Sequence, residues 1–110
     1  MQILLAALVA AFLLPAVASA ETASYYGGKF HGRKTASGQI YNQNAHTCAH
    51  KTLPFGTRLR VTYQGRSTEC TVNDRGPFIA GRDLDLSVAC AREIGMTGAG
   101  VGRVTIERVS

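Results

Sequence analysis

The chain has 110 residues and a formal net charge of +5, and all 12 Lys+Arg and all 7 Asp+Glu fall after residue 20. Of the first 20 residues 17 are apolar, whereas the remaining 90 carry 33 apolar residues and all 12 Gly. So short a remainder excludes a multidomain enzyme, a dinucleotide-binding fold of ordinary size and a coiled coil, and its apolar content is too high for a disordered basic tail, which leaves one small glycine-rich domain over residues 21–110.

The apolar run from Ile3 to Leu14, then Pro15 and Ala18-Ser19-Ala20, reads as an export signal with a small-x-small cleavage site. Cleavage after Ala20 is the expectation, so residues 1–20 form a signal peptide. The run is short of the roughly 20 apolar residues of a membrane span, and no cysteine stands at the junction to carry a lipid anchor. An exported protein follows, in the periplasm or outside the cell, soluble after processing and without stable membrane insertion.

Export places Cys48, Cys70 and Cys90 in an oxidising space, where one pair is expected and one cysteine stays odd. Three pairings are open. Strand character around Cys48 and Cys70 favours that pair, which closes a loop of roughly 20 residues worth about 3 kcal/mol in the chain-entropy model. Cys90, in a helical stretch, then reads as a buried small apolar residue.

In chain order, Ala23 to Gly38 offers a first strand and then an irregular, ligand-facing loop rich in Gly, Tyr and basic residues. Ala45 to His50 is extended, with His46, Cys48 and His50 on one side, and Leu53-Pro54-Phe55-Gly56 is a turn. Thr57 to Tyr63 alternates, burying Leu59, Val61 and Tyr63, and Gln64-Gly65-Arg66 turns the chain into a returning strand, Ser67 to Asn73. Asp74-Arg75-Gly76-Pro77 stops that strand, and Phe78 to Gly81 is a loop. Leu84 and Leu86 are expected inside, which presents Asp83 and Asp85 together on the other face. Ser87 caps a helix from Val88 to about Ile94 with Gly95 as its stop. Gly98, Gly100 and Gly102 form a loop before a last strand, Arg103 to Val109. Short strands with a single helix indicate a mainly β protein, a small closed barrel.

The only three Asp lie between Asp74 and Asp85, while Glu21, Glu69, Glu93 and Glu107 are scattered. Proton-transfer chemistry therefore falls to Asp74, Asp83 or Asp85, set against a plain role for Asp74 in its turn and for Asp85 beside the helix cap. His46, Cys48 and His50 invite a metal reading, which a disulfide at Cys48 removes and which lacks a fourth ligand; no metal or cofactor is expected. Lys29, Arg33, Lys34, Arg58, Arg60, Arg75 and Arg82 suit an anionic polymer, and for an exported chain a wall polymer is a better partner than nucleic acid. A solubilising face accounts for the same charge.

Taken together, Ala23-Ser24-Tyr25-Tyr26-Gly27, Phe30-His31-Gly32-Arg33-Lys34-Thr35-Ala36-Ser37-Gly38, Ala49-His50-Lys51-Thr52-Leu53-Pro54-Phe55-Gly56-Thr57, Val72-Asn73-Asp74-Arg75-Gly76-Pro77-Phe78 and Asp85-Leu86-Ser87 resemble the RlpA-like (rare lipoprotein A) family across residues 23–109. The resemblance implies an all-β, six-stranded double-psi β-barrel akin to expansin and barwin domains, and a peptidoglycan lytic transglycosylase. Such enzymes cleave the β-1,4 bond between N-acetylmuramic acid and N-acetylglucosamine to leave a 1,6-anhydro end, with glycan strands as partner and no cofactor. It assigns Asp74 as the leading proton-transfer residue, Asp85 as its support and His50 as the group orienting substrate, with Gln39, Tyr41, Asn42 and Arg75 lining the groove. A monomer is expected. Gln39 and Asn42 stand where the family carries Glu and Asp, and amides do not exchange protons as carboxyls do. That substitution opens an alternative: a noncatalytic, wall-binding or wall-loosening module.

Overall fold

The computed structural model describes residues 18–110, so the export signal expected over residues 1–20 falls, up to residue 17, outside the described residues. Six strands close into a barrel: β1 (Ser19–Tyr25), β2 (Thr47–His50), β3 (Arg58–Tyr63), β4 (Arg66–Asp74), β5 (Leu84–Leu86) and β6 (Val101–Arg108), in the spatial order β1-β5-β2-β4-β3-β6 with β6 returning to β1. β1 starts earlier than Ala23 and pairs Ser19 with Ile106 and Ala20 with Thr105. The β1–β5 and β2–β4 pairs are parallel and the others antiparallel. One short helix, α1 (Val88–Glu93), follows β5. No helix of the described residues is long and apolar enough to cross a membrane.

The interior is built from alternate strand residues. Leu59 and Val61 of β3, Cys70 and Val72 of β4, Leu84 and Leu86 of β5, and Val104 and Ile106 of β6 fill it, with Cys90, Ala91, Ile94 and Met96 from the helix and the segment after it. Polar partners of these residues stay outside: Arg58 and Arg60 of β3 pair with Glu69 of β4 and Glu107 of β6 across the strands. These two arginines, expected among the groups facing an anionic polymer, thus belong to a ladder of ion pairs on the barrel wall.

The local signals act as expected at the hairpin and the helix. Tyr63 pairs with Arg66 around Gln64-Gly65, and the Ser87 hydroxyl accepts from the Cys90 N–H, satisfying one of the free donors of the first turn. Gly95 ends the helix with φ 74°, a left-handed conformation that costs glycine little. Gly102 corrects the loop expectation, because it lies within β6. An added Cβ there would meet the Tyr63 ring at 2.6 Å, so the missing side chain makes room for that ring across the barrel seam. Cys48 and Cys70 form the disulfide, with Cα atoms 5.7 Å apart, and Cys90 is a buried free thiol.

Candidate active site

Residues 26–46, between β1 and β2, pass over the outer face of the barrel and bury a second small apolar cluster of Tyr26, Tyr41 and Ala49, flanked by Phe30. The Tyr26 and Tyr41 rings meet at 4.6 Å, and the Tyr41 hydroxyl accepts from the Val88 N–H at 3.2 Å, tying this segment to the start of α1. Next to the cluster opens a cleft of about 310 Å³, with Ala49, Tyr26 and Tyr41 in its wall beside Asp74, Asp85 and Arg75.

The register explains how two aspartates reach one cleft. Ser24 of β1 pairs with Asp85 of β5, Asp85 pairs with Ala49 of β2, and Ala49 pairs with Asp74 of β4, so four adjacent strands contribute one row. Directly opposed residues point to the same face, and strands lie about 4.8 Å apart, which sets Asp74 and Asp85 roughly 10 Å apart at Cα with only a methyl group between them.

Asp74 enters that row through an irregularity. Thr68, Cys70 and Val72 point inward, and unbroken alternation would turn Asn73 outward and Asp74 inward. Instead Cys48 pairs with Val72 and Ala49 with Asp74, leaving Asn73 as the extra residue of a bulge. A bulge re-aims the side chain that follows it. Asn73 and Asp74 both turn toward the covering segment: Asn73 Nδ2 donates to Gln39 Oε1 at 3.2 Å, and Asp74 Oδ1 accepts from the Ala36 N–H at 2.9 Å. A second bond to Oδ1 comes from the Arg75 N–H at 2.8 Å, so the carboxylate plane is fixed while Oδ2 makes no hydrogen bond among the described residues.

Asp85 is held differently. Its Oδ1 accepts from the Ser24 hydroxyl at 2.9 Å. Burial raises its pKa above the ordinary aspartate value; the Ser24 bond and Arg82 oppose that shift, and the charge of Asp74 adds to it. Burial, reinforced by Asp74 and Asp85, also pushes the Tyr26 phenol up, and burial raises Tyr41. Both hydroxyls are therefore neutral at neutral pH.

The other expected residues are distributed around this centre. Arg75 lines the cleft with its guanidinium stacked 4.0 Å from the Phe55 ring centroid, and its Nη1 donates to the carbonyls of Leu53 at 2.8 Å and His50 at 3.3 Å. The His50 ring is outside the residues lining the cleft; its Nδ1 accepts from the Thr52 and Leu53 N–H groups at 3.1 and 3.0 Å, and burial lowers its pKa. Gln39 sits behind Asp74 on Asn73, and Asn42 Oδ1 accepts from the Asn44 N–H at 2.9 Å within its own turn. Asp83 parts from Asp85, since its Oδ2 accepts from the Thr22 N–H at the strand end, away from the cleft. The metal reading does not assemble: Cys48 is in the disulfide, and His46 Nε2 lies 2.8 Å from Glu93 Oε2 on the helix.

Ser24, Ala49 and Phe78 are not singled out as site residues by the sequence, whereas Lys34, named among the basic residues suited to an anionic polymer, does line the cleft. Ser24 and Ala49 gain meaning only from their register with Asp85, which links segments far apart in the chain. Phe78, an aromatic residue in a turn, carried a readable signal.

A family model described as "Lytic transglycolase" matches residues 18–106. The chain is 56% identical over 89 residues to the endolytic peptidoglycan transglycosylase RlpA of Pasteurella multocida, an alignment covering 79% of this chain and 30% of that protein. It is 55% identical over 89 residues to the probable endolytic peptidoglycan transglycosylase RlpA of Synechocystis, covering 79% of this chain and 28% of that one. The chain thus spans under a third of the length of these curated relatives. Among solved structures, the apo expansin of Clavibacter michiganensis superposes with a TM-score of 0.69 at 20% identity, over 86% of this chain and 51% of that one, a likeness of fold.

Proposed function

The chain belongs to the lytic transglycolase family, and from that premise we propose that it is an exported enzyme that cleaves the MurNAc–GlcNAc β-1,4 bond of peptidoglycan and leaves 1,6-anhydro-MurNAc ends. The observation carrying this reading is the shared row of Asp74, Ala49 and Asp85 at the cleft, two carboxyl groups on either side of a small floor. The names of the relatives supply the substrate class. The Cys48–Cys70 disulfide suits an oxidising compartment.

Sequence reasoning put Asp74 first as the proton-transfer residue; the environments of the two carboxyls favour a division of labour. Asp85, whose pKa is raised by burial, is the acid: its proton goes to the glycosidic oxygen as the C1–O4 bond breaks. The muramic acid 6-hydroxyl oxygen bonds to C1, and its proton passes to the free Oδ2 of Asp74. Bond formed and bond broken balance without water, and proton exchange between the two aspartates restores the starting state. Ser24 orients Asp85, the Ala36 and Arg75 N–H groups orient Asp74, and Arg33, Lys34 and Arg75 present positive charge to the lactyl carboxylates that peptide-free glycan exposes. His50 acts through position, its carbonyl and turn anchoring Arg75.

The test is digestion of peptide-free peptidoglycan followed by mass spectrometry of the soluble products. Anhydro-ended fragments from the wild-type chain, lost in Asp85→Asn, establish the activity. A second reading, a noncatalytic wall-binding module, is favoured by the amide at Gln39, which occupies itself with Asn73. Pull-down on the same sacculi without anhydro products selects that reading instead.

A further inference from the structure

We propose that Phe78 is a stacking platform for a sugar ring at one end of the cleft, receiving the apolar face of the pyranose next to the unit held at Asp74 and Asp85. The inference rests on the glycan reading above and deepens it by naming a subsite.

Phe78 is 86% exposed and Ile79 55%, and both line the cleft that contains the two aspartates. A phenylalanine left in water forgoes roughly 1.5–3 kcal/mol of burial, so this ring contributes little to holding the fold together. It is nevertheless seated. Gly76 has φ 118°, and an added Cβ there would stand 3.3 Å from Phe78 Cε2, so the ring rests against the backbone at a position where a side chain would crowd it. One side of the ring is thus supported while most of its surface faces solvent, and the support lies in the turn that directly follows Asp74.

The occupant follows from the polarity of the cleft. Its lining joins the carboxylates and Arg75 to an apolar stretch, Pro77, Phe78 and Ile79. A pyranose has the same division, with C–H groups on its faces and hydroxyls around its rim. Nucleobases also stack on exposed aromatic rings, and the glycan is preferred because the relatives named for peptidoglycan supply that substrate class. The apolar area is too small to hold a lipid surface. A second copy of the chain is the remaining occupant, and the test separates it.

The experiment uses the full chain carrying Asp85→Asn, so that turnover does not consume the ligand, and titrates it by calorimetry with peptide-free peptidoglycan fragments from a disaccharide upward. Phe78→Ala is expected to weaken binding of the longer fragments about tenfold. The disaccharide affinity and the thermal midpoint should be unchanged, and Phe78→Trp should retain the full affinity. Equal affinities of Phe78→Ala and the parent at every length overturn the platform, as does an equal loss at every length including the disaccharide. A concentration-dependent dimer that Phe78→Ala abolishes, seen by sedimentation, assigns the ring to self-association instead and also overturns it. Anhydro products from wild type together with unaltered binding by Phe78→Ala would remove this inference and leave the enzymatic reading standing. Length-dependent loss of binding without anhydro products would do the reverse.

Discussion

Asp74 and Asp85 come from strands that do not touch each other, yet each is paired with Ala49, so a single methyl group separates the two carboxyl positions. This small residue sets the depth of the cleft. Ala49 is 2% exposed and packs with Tyr26 and Tyr41.

Ala49→Leu should therefore fill the space between the aspartates. Overpacking of this kind costs about 1–3 kcal/mol, so the thermal midpoint falls by several degrees while the circular dichroism spectrum stays native. Release of anhydro-ended glycan fragments should drop by about 100-fold or more, the scale expected when a reacting group is displaced by an ångström. A variant that folds and retains wild-type turnover would show that substrate does not enter between Asp74 and Asp85.

The two aspartate variants should separate stability from activity. Asp85 holds its proton more tightly in the fold than in the unfolded chain, so the native state binds more protons as pH climbs above the ordinary aspartate range. Its contribution to stability is present at low pH and lost as pH rises through the raised folded value. Asp85→Asn keeps an acceptor for the Ser24 hydroxyl and removes the ionisation. Its thermal midpoint should exceed that of wild type at neutral pH, and the advantage should shrink toward pH 4. Activity should fall about 10²–10⁴-fold. Asp74→Asn should lose activity on a similar scale, read from the same product analysis, and calorimetric scans across pH follow the Asp85→Asn effect.

His50 works in the opposite sense. Burial depresses its pKa, and its Nδ1 accepts two N–H bonds that a protonated ring would forfeit. Its contribution is lost as pH falls from the ordinary histidine value through the lowered folded one. His50→Ala should destabilise the chain by about 0.5–1.5 kcal/mol at neutral pH, through the loss of its hydrogen bonds to the turn, and should flatten the pH dependence of the midpoint below pH 6.5. It should also raise KM more than it lowers kcat, because the turn that fixes Arg75 is loosened.

The disulfide gives a fourth expectation. Cys48 and Cys70 are separated by 22 residues, and the double variant Cys48→Ala/Cys70→Ala should lose about 3 kcal/mol, read from urea unfolding. In the oxidised wild-type chain one thiol, Cys90, should become alkylated only under denaturing conditions, as mass spectrometry of the peptides would reveal.

Much of the architecture is written locally. The alternation of Leu59 and Val61 with Arg58 and Arg60, the Gln64-Gly65 turn, the Ser87 cap and the Gly95 stop each act within a few residues, so their physical cause is contained in a short window of sequence. Gly102 was misread as loop because the reason for its missing side chain, the Tyr63 ring, lies on another strand. The same limit applied to the site. Asp83 and Asp85 alternate as a strand should, but β5 begins only at Leu84, and Asp83 turns to the Thr22 N–H.

What the sequence by itself determined was a small basic β domain, the cysteine pair favoured from strand character, and a concentration of aspartates beside turns; these follow from periodicity, composition and residue type. Only the tertiary structure decided which aspartates share a cleft. That choice depends on strand order and on a one-residue bulge at Asn73, which turns Asp74 from the barrel interior toward Asp85. Cross-strand register is a property of segments brought together from distant parts of the chain, and no local pattern encodes it.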